Sequence, residues 1–205
     1  METGTFSSKI KNFWYYHKWH LLVVVFLICA LAVAIRSCQN KVNPDLYVLY
    51  AKEEIHNPLQ AQDLETWFGA MTEDVNGDGE TTASVLATSN QNPDGSNTAV
   101  SMLVQVNSGN AVLYLLTEET YGILHENDVL MDLSPVAGES AYVDGDRYRL
   151  SESGVLKELD SFEADDTAYY LAIRKVDGTS IEGSEEHQLQ LRLAKDVLAQ
   201  LVEKE

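Results

Sequence analysis

The densest run of potential ligand oxygens in the chain is Asp74-Val75-Asn76-Gly77-Asp78-Gly79-Glu80. Oxygens at the first, third and fifth positions (Asp74, Asn76, Asp78) converge on one point when a glycine at the sixth, Gly79, permits the tight bend. Glu80 at the seventh adds its carbonyl. This is the opening of a calcium loop, and it makes Asp74, Asn76, Asp78 and Glu80 candidate Ca2+ ligands. The twelfth position, where such a loop closes with a bidentate Glu, is Val85. Thr82 onward also has the pattern of a strand rather than an exiting helix, so a further carboxylate would have to come from a residue such as Glu73. The competing expectation is a helix-to-strand turn whose Asn and Asp side chains hydrogen-bond the backbone while the glycines take positive φ.

Other spacings with chemical meaning are sparse. Glu53 and His56 stand three apart without a second histidine at helical spacing, and His125 beside Glu126 and His187 beside Glu186 are each isolated. A zinc site needs three or four convergent ligands. Gly138-Glu139-Ser140-Ala141 lacks the second glycine of a Gly-x-Ser-x-Gly nucleophile turn. The glycine-rich stretches carry no phosphate-loop lysine. Asp165 and Asp166 could share acid–base work, but in so acidic a chain solvated carboxylates are the ordinary expectation. No catalytic residue is assigned, and binding is favoured over catalysis.

The elements that must position these residues alternate. A strand is expected at 46–51 and a helix over 58–72 with Leu59, Leu64, Trp67, Phe68 and Met71 on its apolar side. A second strand at 82–88 precedes a turn-rich segment, Asn90 to Ser96. A helix over 98–107, with Val100, Leu103 and Val104 inward, stops at Gly109. The wholly apolar run 111–116 is a buried strand. Thr117 caps a helix whose first turn holds Glu118 and Glu119, as the helix dipole favours. Residues 134–166 are turn-rich, with short alternating pieces at 141–143 and 147–150; Tyr142, Tyr148, Tyr169 and Tyr170 form a candidate rim for ligand or partner. Residues 169–176 make the last strand, and Ser184 caps a C-terminal helix with Leu189, Leu193, Val197, Leu198 and Leu201 on one face. The alternation predicts an α/β domain of three layers with a mostly parallel sheet.

Upstream, residues 21–35 read LLVVVFLICALAVAI, preceded by Lys9, Lys11 and Lys18 among aromatics and followed by Arg36. Trp19 and Arg36 can sit at the two interfaces, and the lysines keep the N-terminus cytoplasmic. The expected organisation is a cytoplasmic segment 1–18, a transmembrane signal anchor 19–36, a stalk 37–44 and an extracytoplasmic domain 45–205, giving a single-pass cell-membrane protein. A cleaved signal peptide is the alternative, but its small-x-small sites, Ala30–Ala32 and Ala32–Ala34, lie inside the apolar run. The whole chain has a net charge of −18, and beyond Arg36 it carries 10 basic and 31 acidic residues. That balance repels nucleic acid. Cys29, within the apolar run, and Cys38, just beyond it, are the two cysteines, so no disulfide framework staples the domain.

Residues 97–135 (NTAVSMLVQVNSGNAVLYLLTEETYGILHENDVLMDLSP) carry a helix ending in Ser108-Gly109, a strand, a short helix and the Met131-Asp132-Leu133-Ser134 turn. This stretch resembles one lobe of a bacterial extracellular (type 2 periplasmic) solute-binding protein. The aromatic Lys-Trp-His entry to the membrane and the Asp-x-Asn-Gly-Asp-Gly loop also resemble small membrane-anchored proteins of Gram-positive bacteria. A solute-binding protein closes two lobes on its ligand, and this chain is long enough for one. The resemblance implies a reduced lobe, anchored at the membrane, that binds a small molecule or protein or serves as an accessory domain. The alternatives are a cell-surface hydrolase with an acidic site and a non-catalytic protein-interaction domain.

Overall fold

A computed structural model describes residues 19, 22–29, 31, 43–53, 57–89 and 99–204. It divides into two units, residues 1–43 and 44–205. In the first, residues 22–29 are helical with exposed apolar side chains. Among the described residues no helix is long and apolar enough to cross a membrane. The expected segment 1–18, anchor residues 20, 21, 30 and 32–36 and stalk residues 37–42 lie outside the described residues.

The second unit is built on a strand that both faces of the sheet bury. Successive side chains of a strand point to opposite faces. In β1 (Leu46–Lys52), Val48 and Tyr50 enter one core and Leu49 and Ala51 the other. Burial on both sides explains why β1 is a continuous apolar run instead of an alternating one. Helix α1 (Pro58–Gly69) follows, its start set by Asn57, whose side chain accepts the Leu59 N–H at 3.0 Å, and by Pro58 in the first turn. Its Leu64 and Phe68 cover the first face beside Tyr50. Leu59, expected on the apolar side, is instead exposed.

Strand β2 (Ala83–Ser89) then pairs in parallel with β1, Leu46 opposite Ala83. Helix α2 (Ala99–Ser108) covers the second face through Met102 and Val106. Val104, expected inward, is 59% exposed; the Met102–Val106 pair, one turn apart, sets the helix phase and turns Val104 outward. Strand β3 (Leu113–Thr117) lies on the other side of β1, also parallel. Helix α3 (Glu118–Glu126) packs Tyr121 and Leu124 on the second face.

Beyond β3 the sheet order continues with three more strands, taken from the last part of the chain, and this second half is antiparallel. After the short helix α4 (Ser134–Ala137) come a two-residue hairpin, β4 (Val143–Asp144) and β5 (Arg147–Tyr148), and helix α5 (Leu150–Ser153). Two 3-10 turns, Val155–Glu158 and Asp160–Phe162, lead into β6 (Tyr169–Ile173). The domain is α/β as expected, but the sheet is mixed. A parallel partner for β3 would need a crossover that returns the chain to the opposite end of the sheet. The α5 and 3-10 segment instead delivers Tyr169 opposite Thr117, at the end where β3 finishes, so β6 runs back along it. Helix α6 (Glu185–Val202), capped by Ser184, closes the first face with Leu191, Leu193, Ala194, Val197, Leu198 and Leu201, while Leu189 is partly buried. Three layers result.

Candidate functional site

Strand β1 stands between two parallel neighbours reached by helices on opposite faces, α1 on one and α2 on the other. In open α/β sheets the strand order reverses at such a point, and a crevice opens outside the carboxyl ends of the strands. Here those ends carry Lys52 and Glu53 from β1 and Thr117 from β3. The Thr117 hydroxyl donates to Glu53 Oε1 at 2.7 Å. Thr120 Oγ1 accepts the Thr117 N–H at 2.9 Å and donates to the Ala51 carbonyl at 3.0 Å. Glu53 is thereby pinned beside the amino end of α3, where the helix dipole favours a carboxylate.

Beneath this rim, on the first face, lies a buried polar network. Gln60 of α1 donates through Nε2 to Asp165 Oδ2 at 2.7 Å and to the Ser161 carbonyl at 3.3 Å. Its Oε1 accepts Lys52 Nζ at 3.3 Å and lies 3.2 Å from the Tyr50 hydroxyl. The Tyr50 and Tyr169 hydroxyls are 2.9 Å apart, and Tyr169 donates to Asp165 Oδ2 at 3.0 Å. Two hydroxyl protons cannot serve three contacts. The two protons serve two of the Tyr50–Gln60, Tyr50–Tyr169 and Tyr169–Asp165 contacts, and Lys52 supplies Gln60 Oε1 as well.

Electrostatics follow from this geometry. Burial, reinforced by the Asp165 charge and opposed by the Tyr169 hydrogen bond, pushes the Tyr50 phenol up to about 12. Tyr169 moves up further, first from burial and then from Tyr50 and Asp165. For Asp165, burial alone would raise the carboxyl, but bonds from Thr167, Gln60 and Tyr169 outweigh it and hold the carboxyl below its usual range. Beside Asp165 and Tyr169 is a cavity of about 20 Å³ lined also by Ser151, Lys157 and Phe162. That is room for one water and no more.

A second polar cluster occupies the opposite face. Asp146, in the β4–β5 hairpin, accepts the Tyr121 hydroxyl at 2.7 Å through Oδ1 and faces His125 Nδ1 at 2.7 Å through Oδ2. The Arg147 guanidinium lies 4.8 Å from the Tyr121 ring centre and 4.9 Å from that of Tyr170, and reaches Asp144 at 3.1 Å. The His125 side chain is 57% exposed. Among the described residues no Ser or Cys bonds to it, so the pair has the orientation of a general base without a protein nucleophile.

The calcium-loop candidates lie at the other end of the sheet, beside the amino ends of β1 and β2. Asp74 accepts the Gly77 N–H at 2.6 Å through Oδ1 and the Gly79 N–H at 2.9 Å through Oδ2. Asn76 Oδ1 accepts the Asp78 N–H at 2.8 Å and Asp78 Oδ1 the Glu80 N–H at 2.9 Å. Gly77 and Gly79 take φ of 75° and 89°, as the turn expectation requires of both. Buried Asp45 ties the loop to β1, its carboxylate accepting the N–H groups of Val75, Asn76 and Thr82 at 2.9, 3.2 and 2.9 Å. Glu73 pairs with Arg192 at 3.5 Å. Among the described residues no group of three or more His, Cys, Asp or Glu is placed to hold a metal ion.

No family model, curated protein or solved structure matches this chain. Its chemistry has to be read from its own geometry. Of the four candidate rim tyrosines, Tyr148 and Tyr169 are core residues, while Tyr142 and Tyr170 are half-buried. His187 Nδ1 meets its own cap, Ser184 Oγ, at 2.8 Å, and His56 lies outside the described residues. Sequence spacing brings together neither Glu53 with Thr117 nor His125 with Asp146, because the partners are 64 and 21 residues apart. Gln60 and Gln190 left a fainter trace as amides within amphipathic helices. Gln190 accepts the Tyr47 N–H at 2.9 Å and donates to the Asp45 carbonyl at 2.6 Å, fastening α6 to β1.

Proposed function

We propose that this chain is a membrane-anchored extracytoplasmic binding or accessory domain, a reduced solute-binding lobe whose ligand rim is formed by Lys52 and Glu53, with buried Thr117 holding Glu53 from behind. The observation that carries this is the switch point at β1, whose carboxyl end meets that of β3 in a charged and hydroxylic edge over a rigid, hydrogen-bonded floor. Side chains held by such a floor keep one geometry, which is what a binding edge needs. The apolar run 21–35 and its lysine-rich flank support residues 19–36 as the anchor. Calcium belongs to the same proposal as a weak, loop-stiffening ligand of Asp74, Asn76, Asp78 and Glu80, supported by their spacing. With Val85 in place of a bidentate Glu, its affinity is expected near the weak extracellular range of about 0.1–1 mM.

The test is a thermal-shift screen of the full chain in detergent against small polar metabolites, repeated on Lys52→Ala and Glu53→Gln. A saturable stabiliser of the native chain that loses its effect in both variants supports the rim. A stabiliser indifferent to both places the ligand elsewhere. A second reading, a cell-surface hydrolase, draws on the His125–Asp146 pair. Turnover of a bound ester or peptide, lost in His125→Ala, would establish it in place of simple binding.

A further inference from the structure

The loop at the amino ends of the strands contains two bonds of the Asx-Gly type, Asn76-Gly77 and Asp78-Gly79. Such a bond can modify itself without an enzyme. At Asn76 the Gly77 N–H proton is lost, a bond forms from the Gly77 nitrogen to Asn76 Cγ, and the Cγ–Nδ2 bond breaks, releasing ammonia. The product is a succinimide ring. Water then opens the ring at either carbonyl and leaves aspartate or isoaspartate. Glycine suits the reaction because no side chain shields its nitrogen.

Access favours this chemistry and hydrogen bonding opposes it. Asn76, Gly77, Asp78 and Gly79 are all exposed. A Cβ placed on Gly77 or Gly79 would meet nothing within 4 Å, so ring closure and water attack both have room. Yet the Gly77 N–H, whose proton must leave, is donated to Asp74 Oδ1 at 2.6 Å. The Gly79 N–H is donated to Asp74 Oδ2 at 2.9 Å. One carboxylate thus holds both attacking nitrogens. Attack breaks that charge-assisted bond, which is stronger than one between neutral groups. The negative charge of Asp74 also disfavours an amide anion developing beside it. Asn76 Oδ1 is held in turn on the Asp78 N–H at 2.8 Å.

We infer that Asn76-Gly77 is a self-modification site that Asp74 keeps closed. Opening the site deamidates Asn76 and adds a carboxylate to the loop. As isoaspartate, the product also adds one carbon to the backbone between residues 76 and 77. That carbon falls between the Asn76 and Thr82 N–H groups, both of which Asp45 holds. The modification therefore strains the fastening of the loop to β1. This site is separate from the Lys52–Glu53 rim, so either can fail alone.

The test incubates the full chain in detergent and mildly alkaline buffer. Residue 76 is followed by peptide mass spectrometry, with isoaspartate separated from aspartate. Asp74→Ala should deamidate at Asn76 at least about tenfold faster than the native chain, a barrier lower by ~1.4 kcal/mol, and should give both products. Asp78→Ala removes a neighbouring turn bond, to the Glu80 N–H, but leaves both glycines on Asp74, so its rate should stay near native. Equal acceleration in the two variants would make general loosening of the loop the cause and overturn the lock. So would an unchanged rate in Asp74→Ala, or a native chain that deamidates as fast when folded as in urea. Aspartate without isoaspartate would mean direct hydrolysis and overturn the succinimide route.

Discussion

The two ends of the parallel strands are built for opposite purposes. At the amino ends, Asp45 is 1% exposed and spends its carboxylate on three backbone N–H groups, and the Asp74, Asn76 and Asp78 side chains fold back onto their own turns. Polar groups there hold the chain. At the carboxyl ends, Lys52 and Glu53 stand half-buried beside the Tyr50–Gln60–Asp165–Tyr169 network, each held by a partner yet with part of its surface exposed. A buried polar group stabilises a fold when all its bonds are internal. It can meet a ligand when some of its surface is left over.

That contrast can be broken most forcefully at Asp45. Asp45→Ala leaves three N–H groups without an acceptor and should cost about 3 kcal/mol in urea unfolding, without altering ligand capture; little loss would mean that the amino end is not the fastening. Gln60→Leu comes next, at about 2 kcal/mol, because it removes one of the donors to Asp165 and the Gln60 acceptor of Lys52 and leaves the Ser161 carbonyl without its amide donor. If the floor also sets the rim, this variant should weaken ligand binding as well, and separating the two effects would detach floor from rim.

The third effect is alkaline. Tyr50 titrates near 10 in an unfolded chain and about 12 in the fold, so its contribution is complete below pH 10 and is lost as pH rises through 12. Phenolate absorbance should show this late titration, and Tyr50→Phe should remove it; an early, uniform titration would mean that the network is open to water. His125→Ala, on the exposed cluster, should cost under about 1 kcal/mol, since exposed pairs contribute little. Smallest is calcium. At a concentration near its dissociation constant it should add roughly 0.4 kcal/mol of stability, seen as a slight rise in melting temperature that Asp78→Ala abolishes. No rise at saturating calcium would leave the loop as a turn alone.

Much of this fold is legible in the chain. Strand β1 is visible because both of its faces are apolar, and α1 because Asn57-Pro58 marks its start; α6 is visible because leucines recur at helical spacing. The antiparallel half was illegible, since strand direction depends on which end of the sheet the turn-rich segment reaches and not on local pattern. Val104 was misplaced because neighbouring apolar residues 100, 102, 103, 104 and 106 allow more than one helix phase, and only packing against Leu49 and Leu116 selects Met102 and Val106. The candidate site was barely legible. Glu53 and Thr117 meet only after β1 and β3 pair, and Asp45 gives no sign in sequence of the three amides it will hold.

Differential affinity capture tests the rim most directly. The full chain and its Lys52→Ala/Glu53→Gln variant, immobilised side by side, are exposed to the same cell-surface extract, and retained small molecules and proteins are identified by mass spectrometry. A rim at the carboxyl ends of β1 and β3 predicts at least one species kept by the native chain and missing from the equally folded variant. Identical retention by both would contradict it.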